Sequence, residues 1–130
     1  MPKCSTLSIS KELLQTIFEG AKTLYPKETI LMLRGKKQKE VITVTEFLVP
    51  PLANYGRGFA NVRLHMLPMD FSIVGTVHSH PSGNINPSNA DLNHFFGPIL
   101  MIVGYPFVEE KNVAAYNRNG ERLAIKVTTT

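Results

Sequence analysis

The sequence predicts an α+β domain: a curved, mostly antiparallel sheet with a long helix near the N-terminus and a short helix in the second half. Three observations carry that prediction. One strongly periodic apolar stripe lies near the start of the chain. Short β-branched segments follow it, separated by turn residues rather than helices, which excludes a repeating βαβ order. A loop rich in proline, glycine and asparagine then precedes a second, shorter helical pattern. The 130 residues suffice for one core, and no linker, repeat or low-complexity tract divides them, so residues 1–130 read as a single domain.

In chain order, Leu7 and Ile9 suggest a short strand. Residues 10–24 read as the long helix, because Leu13, Leu14, Ile17, Phe18, Ala21 and Leu24 recur at three- and four-residue spacings. Ser8 or Ser10 can cap its start, and Pro26 lies just past its end. Residues 29–34 and 41–49 read as a hairpin around Gly35 and a solvated turn holding Lys36, Lys37 and Lys39. Pro50 and Pro51 stop it, since proline cannot donate to a ladder. Residues 51–61 lack a period and carry Gly56 and Gly58, as a flexible loop or marginal hairpin does; residues 62–65 suggest a short strand. A strand is expected over 71–78, with Ile73, Val74 and Val77 as its apolar content. Loop chemistry fills 81–87, and a helix over 89–96 would bury Leu92, Phe95 and Phe96. Residues 99–105 read as a buried strand. Residues 113–117 and 122–127, joined through Asn119-Gly120, make a terminal hairpin with a favoured turn dipeptide.

Composition narrows the function classes. Hydrophobic residues at 43% and charged residues at 18% fit a globular protein rather than a disordered one. The apolar runs 30–33 and 99–105 fall far short of the roughly 20 residues a spanning helix needs, so no membrane role is expected. No N-terminal segment has the pattern of a secretory signal, which makes the cytoplasm the expected compartment. The lone Cys4 reads as a free thiol on a mobile N-terminus. A formal charge of +4 favours acidic partners, but no aromatic residues alternate with the lysines, so nucleic-acid binding is not expected.

The informative stretch is His-Ser-His-Pro-Ser-Gly-Asn-Ile-Asn-Pro-Ser-Asn-Ala-Asp, residues 78–91. Histidines at i and i+2 on a strand project from one face and can approach one ion together. Asp91, eleven residues after His80 at the start of a helix, can fold back as a third ligand. Two imidazoles and a carboxylate, with one position left for water, is the pattern of a catalytic zinc site; a structural site would show four ligands. A plainer reading stands beside it: Ser88 and Asp91 have the spacing of a helix capping pair, and His-x-His arises by chance. His65 and His94 read as surface or supporting groups.

His78, His80, Ser88 and Asp91, with Pro81 and Gly83 between them, resemble the JAMM (MPN+) metalloprotease motif: His-x-His, seven residues, Ser, two residues, Asp. The segment from Tyr25 to Gly35 resembles the part of the family that carries an upstream glutamate, and the resemblance places Glu28 there. Among Glu19, Glu28, Glu40 and Glu46 only the resemblance selects. Leu31 stands where many members have glycine.

The resemblance covers nearly the whole chain and implies the MPN (cytidine-deaminase-like) fold. It also implies one zinc ion per chain on His78, His80 and Asp91, Glu28 as general base and then acid, and Ser88 as holder of the attacking water or the oxyanion. The implied substrate is an isopeptide bond between the C-terminal glycine of a ubiquitin-like modifier and a target lysine. Trimming of a ubiquitin-fold sulfur carrier and a non-catalytic MPN module are the alternatives. A RadC-like role linked to DNA is disfavoured by the short chain. Residues 51–61 are where members commonly carry an insertion, so Tyr55, Gly56, Gly58 and Phe59 are the expected substrate-tail contacts.

Overall fold

A computed structural model describes residues 4–49, 72–93 and 96–129. Its elements are β1 (Thr6–Ser10), α1 (Lys11–Leu24), β2 (Ile30–Gln38), β3 (Val41–Leu48), β4 (Ile73–His80), α2 (Asn89–Asn93), β5 (Ile99–Gly104), β6 (Val113–Asn117) and β7 (Arg122–Thr128), with a 3-10 turn at Glu110–Asn112. Residues 51–65, which include His65, and residues 94 and 95 lie outside the described set.

Helix α1 starts where Ser10 stops being strand: the Leu13 amide donates to the Ser10 hydroxyl at 3.1 Å, satisfying one of the orphaned N–H groups of the first turn. Of its stripe, Leu14, Ile17, Phe18 and Ala21 are buried; Leu24 is 38% exposed. The helix ends at Tyr25, whose ring lies 4.8 Å from Tyr105 and 6.4 Å from Phe107, centroid to centroid. That cluster ties the connection between α1 and β2 to the segment following β5.

The strands run β1-β3-β2-β4-β5-β6-β7 and close into a barrel. The expected open curve is therefore corrected, while the expected antiparallel majority is present: four pairings are antiparallel, and β1–β3, β1–β7 and β4–β5 are parallel. Closure comes from β1, which pairs with β3 on one side and β7 on the other. Its Leu7 and Ile9 are 0% and 1% exposed. Such pairings join residues far apart in the chain and leave no local periodicity to read.

Strand β5 lies under cover on both faces. Ile99, Met101 and Val103 join the main core with Leu14, Ile17 and Phe18 of α1. Leu100 and Ile102 join a smaller cluster with Ala114 and Tyr116, against which Ile85 packs. A strand buried on both faces reads as a continuous apolar run, as 99–105 does.

Three local expectations are revised. Lys36 and Lys37 are exposed residues of β2 rather than of the turn, which is reduced to Lys39 (φ 56°) and Glu40. Of the expected helix over 89–96, Asn89–Asn93 is helical, residues 94 and 95 lie outside the described set, and residue 96 is not helical; its buried residue is Asp91, and Leu92 is half-buried. Cys4 is buried at 8% exposure and its thiol donates to the Thr6 carbonyl at 3.6 Å, so it belongs to the core and not to a mobile tail. No helix among the described residues is long and apolar enough to cross a membrane.

Candidate metal centre

The site forms at the C-terminal end of β4. Alternation puts Val77 and Ser79 toward the α1 core, where Met101 and Val103 are their β5 partners. Thr76, His78 and His80 take the opposite face, and the parallel register sets His78 beside Ile102 and His80 beside Gly104. Gly104 matters because the loop after β4 lies directly on it: a Cβ there would stand 2.8 Å from Ile85 Cγ2 and 3.1 Å from the Gly83 carbonyl oxygen. Gly83 itself turns the chain at φ +84°, its amide donating to the His80 carbonyl at 3.1 Å. Ile85 then drops into the small core, and the Tyr116 hydroxyl donates to its carbonyl at 2.8 Å. Loop 81–88 is thus anchored at both ends and in its middle.

At the far end of the loop, Ser88 caps α2. The Asp91 amide donates to the Ser88 hydroxyl at 3.1 Å, and the Ser88 amide donates back to Asp91 Oδ2 at 2.8 Å. The plain capping reading is therefore realised, and it does further service by aiming the carboxylate. Asp91 Oδ1 lies 3.0 Å from His78 Nδ1, and Oδ2 lies 3.2 Å from His80 Nε2. His80 Nδ1 donates to the Asn84 carbonyl at 2.7 Å, which orients the ring and turns Nε2 toward Asp91. The Thr76 hydroxyl meets His78 Nε2 at 3.3 Å.

Electrostatics follow from this geometry. Burial works against ionisation of Asp91, yet hydrogen bonds from His78, His80 and the Ser88 amide overcome it and hold the carboxyl well below its ordinary range. Burial disfavours the charged form of His80, but Asp91, the Asn84 carbonyl and Glu28 outweigh it and raise its pKa. Glu28 is raised by burial and by the nearby Asp91, against a lowering by His80.

Glu28 reaches the site through strand pairing. Ile30 stands opposite His78 in the antiparallel β2–β4 ladder, so Glu28, one residue before Thr29, falls opposite His80 and on its face. Glu28, His80, Ser88 and Asp91 line one cleft of ≈ 440 Å³ together with Asn84 and Asn86. The structure therefore brings together all five residues singled out for metal and chemistry. Tyr55, Gly56, Gly58 and Phe59 lie outside the described residues, as does His94.

The donor set suits zinc in kind: an ionised buried carboxylate, one imidazole oriented by a carbonyl so that its other nitrogen turns toward that carboxylate, and a second imidazole on the same oxygen pair. Among the described residues, however, no three His, Cys, Asp or Glu side chains stand as a ready metal-holding group. Asp91 bonds directly to both rings instead. In donor type the residues fit the ion, and binding it would exchange those two hydrogen bonds for metal bonds.

Sequence reasoning passed over four supporting groups: Thr76, Ser79, the Asn84 carbonyl and Tyr116. One signal was present for Ser79. A serine between two histidines that share a face must point the other way, into the core, where a hydroxyl needs a partner.

Comparison with known proteins identifies the family. Residues 10–119 match the family model of prokaryotic homologs of the JAB domain. A protein of Haloferax volcanii named a probable metalloprotease is 32% identical over 122 residues, covering 88% of this chain and 75% of that one. Among solved structures, a JAB1/MPN domain protein from Archaeoglobus fulgidus is 37% identical with a TM-score of 0.68, covering 93% of this chain and 98% of its own. A second, described as JAMM, a metalloprotease-like zinc site in the proteasome and signalosome, is 33% identical with a TM-score of 0.66, covering 95% and 99%. The chain belongs to the family of prokaryotic JAB-domain homologs, within the JAMM/MPN group.

Proposed function

We propose that this protein is a zinc-dependent isopeptidase that cleaves the bond between the C-terminal glycine of a ubiquitin-like modifier and a lysine of its target. The observation that carries the metalloprotease part is Asp91. Its two oxygens face one nitrogen on each of two histidines, in a cleft that also presents Glu28 and Ser88. His78, His80 and Asp91 would hold the metal, one ion per chain. Bound there, zinc supplies Lewis-acid polarisation and lowers the pKa of water toward about 7.

Glu28 accepts the proton of the attacking water and returns it to the departing amine. Its raised pKa suits that double duty, since an acid–base group works best when its pKa nears the working pH. Ser88 takes a hydrogen bond from the Asp91 amide on its oxygen, which leaves its own O–H proton to donate to the oxyanion that develops. The isopeptide preference and the ubiquitin-like partner rest on family membership. Tail capture by Tyr55, Gly56, Gly58 and Phe59 rests on the sequence and on its resemblance to the family, whose members commonly carry an insertion here.

The test is metal content with two substrates, a lysine-linked conjugate and the same modifier carrying a linear extension. Purified protein should hold close to one zinc per chain, and chelation should abolish cleavage while the fold persists. Faster turnover of the lysine-linked substrate supports the isopeptidase. Cleavage of the linear substrate alone would favour trimming of a sulfur carrier, and a metal-free, fully active preparation would end the metallohydrolase reading.

A further inference from the structure

We infer that Ser79, the residue between the two histidines, is a positioning residue for Glu28. The inference rests on the proposal that Glu28 handles the proton. Ser79 is 2% exposed and faces the α1 side of β4, away from His78 and His80. Its amide donates to the Thr29 carbonyl at 3.0 Å, as an antiparallel pair requires. The return bond of that pair departs from the ladder: the Thr29 amide donates to the Ser79 hydroxyl at 2.8 Å, and the Thr29 hydroxyl donates to the same oxygen at 3.0 Å. Thr29 is 7% exposed, so these are buried contacts, which water would not replace if they were lost.

The consequence lies one residue away. β2 begins at Ile30, so Thr29 is the last point at which the incoming chain is held to β4 before Glu28. Among the described residues no side-chain hydrogen bond fixes the Glu28 carboxylate; its placement comes from the backbone just behind it. Ser79 pins that backbone to the strand that carries both histidines. A single residue thus sets the distance between the proton-handling group and the imidazoles, with its side chain on one face of β4 and its effect on the other.

The test is a double-mutant cycle on the zinc-loaded protein, read together with amide exchange in the metal-free protein. Ser79→Ala should keep zinc content and KM while lowering kcat by about 10- to 100-fold, the scale on which small misplacements act. It should also speed hydrogen exchange at the Thr29 amide. In a Glu28→Gln background the same substitution should cause no further loss, because the group it positions is already disabled. Ser79→Thr should restore kcat: it keeps the hydroxyl, and a cavity of ≈ 190 Å³ bordered by Ser79, Thr29 and Val77 gives the added methyl room. If Ser79→Ala does not fold, Ser79→Cys keeps the volume with a weaker acceptor and should show an intermediate loss of kcat. Wild-type kcat in whichever of the two folds, loss of zinc, or an equal fold-loss in both backgrounds would each overturn the positioning role. Wild-type activity of Glu28→Gln alone would instead overturn the proton-handling reading on which it rests.

Discussion

The two halves of the cleft are built on different principles. The half comprising His78, His80, Ser88 and Asp91 comes from fourteen consecutive residues and is closed by direct hydrogen bonds: two rings on one carboxylate, and a carboxylate and a hydroxyl each accepting from the other residue's backbone amide. The half that carries Glu28 arrives from fifty residues upstream in the ladder, held through Thr29 and Ser79 and the Tyr25–Tyr105 ring contact. The first half is rigid because its own side chains bind each other. The second is positioned by what lies behind it. A local motif of the first kind tolerates little change in its side chains, whereas the second depends on backbone pairing that its own side chain does not make.

Changes in the self-bound half should therefore have the largest effect. Asp91→Asn removes the charge that both rings face and should lose zinc from the purified protein, with activity falling by at least about 10³-fold; metal analysis and turnover on one preparation check it. An Asp91→Asn protein that kept full zinc would break the comparison, since the metal would then be held elsewhere.

Ser88→Ala separates cap from chemistry. Loss of the cap alone costs about 1 kcal/mol, read as a lower Tm with an unchanged rate. Loss of an oxyanion donor adds a drop in kcat of about 10²–10³-fold, which is the outcome expected here.

Zinc uptake should be proton-linked. His80 keeps its proton to higher pH than a free histidine, and Asp91 gives its own up at lower pH, so the metal-free pair is charged through the range between them. Zinc must displace the His80 proton. Affinity should then fall about tenfold per pH unit below the raised His80 pKa, and uptake should release a proton detectable by calorimetry in buffers of different ionisation enthalpy. A pH-independent affinity would show that His80 is not a ligand.

The smallest effect is expected from Tyr116→Phe, which removes only the 2.8 Å bond to the Ile85 carbonyl. It should lower Tm by the loss of a bond worth about 1 kcal/mol and weaken zinc by about tenfold at most. Unchanged zinc affinity would show that packing of Ile85 alone holds the loop.

The same contrast explains what the sequence disclosed. The self-bound half was legible because its ligands sit at fixed offsets in one stretch, so spacing and residue type carried nearly all the information. α1, the β2–β3 hairpin and the β6–β7 hairpin were legible for the same reason: each is set by a local period or turn, and the last was placed to within a residue. Glu28 had no such signal and was selected by resemblance alone. The register that delivers it pairs Ile30 with His78, residues more than forty positions apart in the chain. Barrel closure escaped notice on the same grounds, since nothing local to Leu7 or Ile9 says that β1 lies between β3 and β7. Position near a terminus suggests exposure for Cys4, but β1 carries that end of the chain into the core.

The direction of the strands has a practical side. Parallel pairing of β1 with β3 and β7, and of β4 with β5, together with the antiparallel ladders between them, makes β1, β3, β4, β5 and β7 all run the same way. Thr128 therefore leaves the barrel at the end where β4 delivers His80, and Thr6 joins it at the other. A bulky carrier or a polyhistidine tag placed after β7 would emerge at the same end of the barrel as the cleft, the end from which a large conjugate and the metal approach. The same appendage ahead of β1 would sit a barrel's height away. Fusions, surface immobilisation and fluorescent labelling of this protein belong on its N-terminal side.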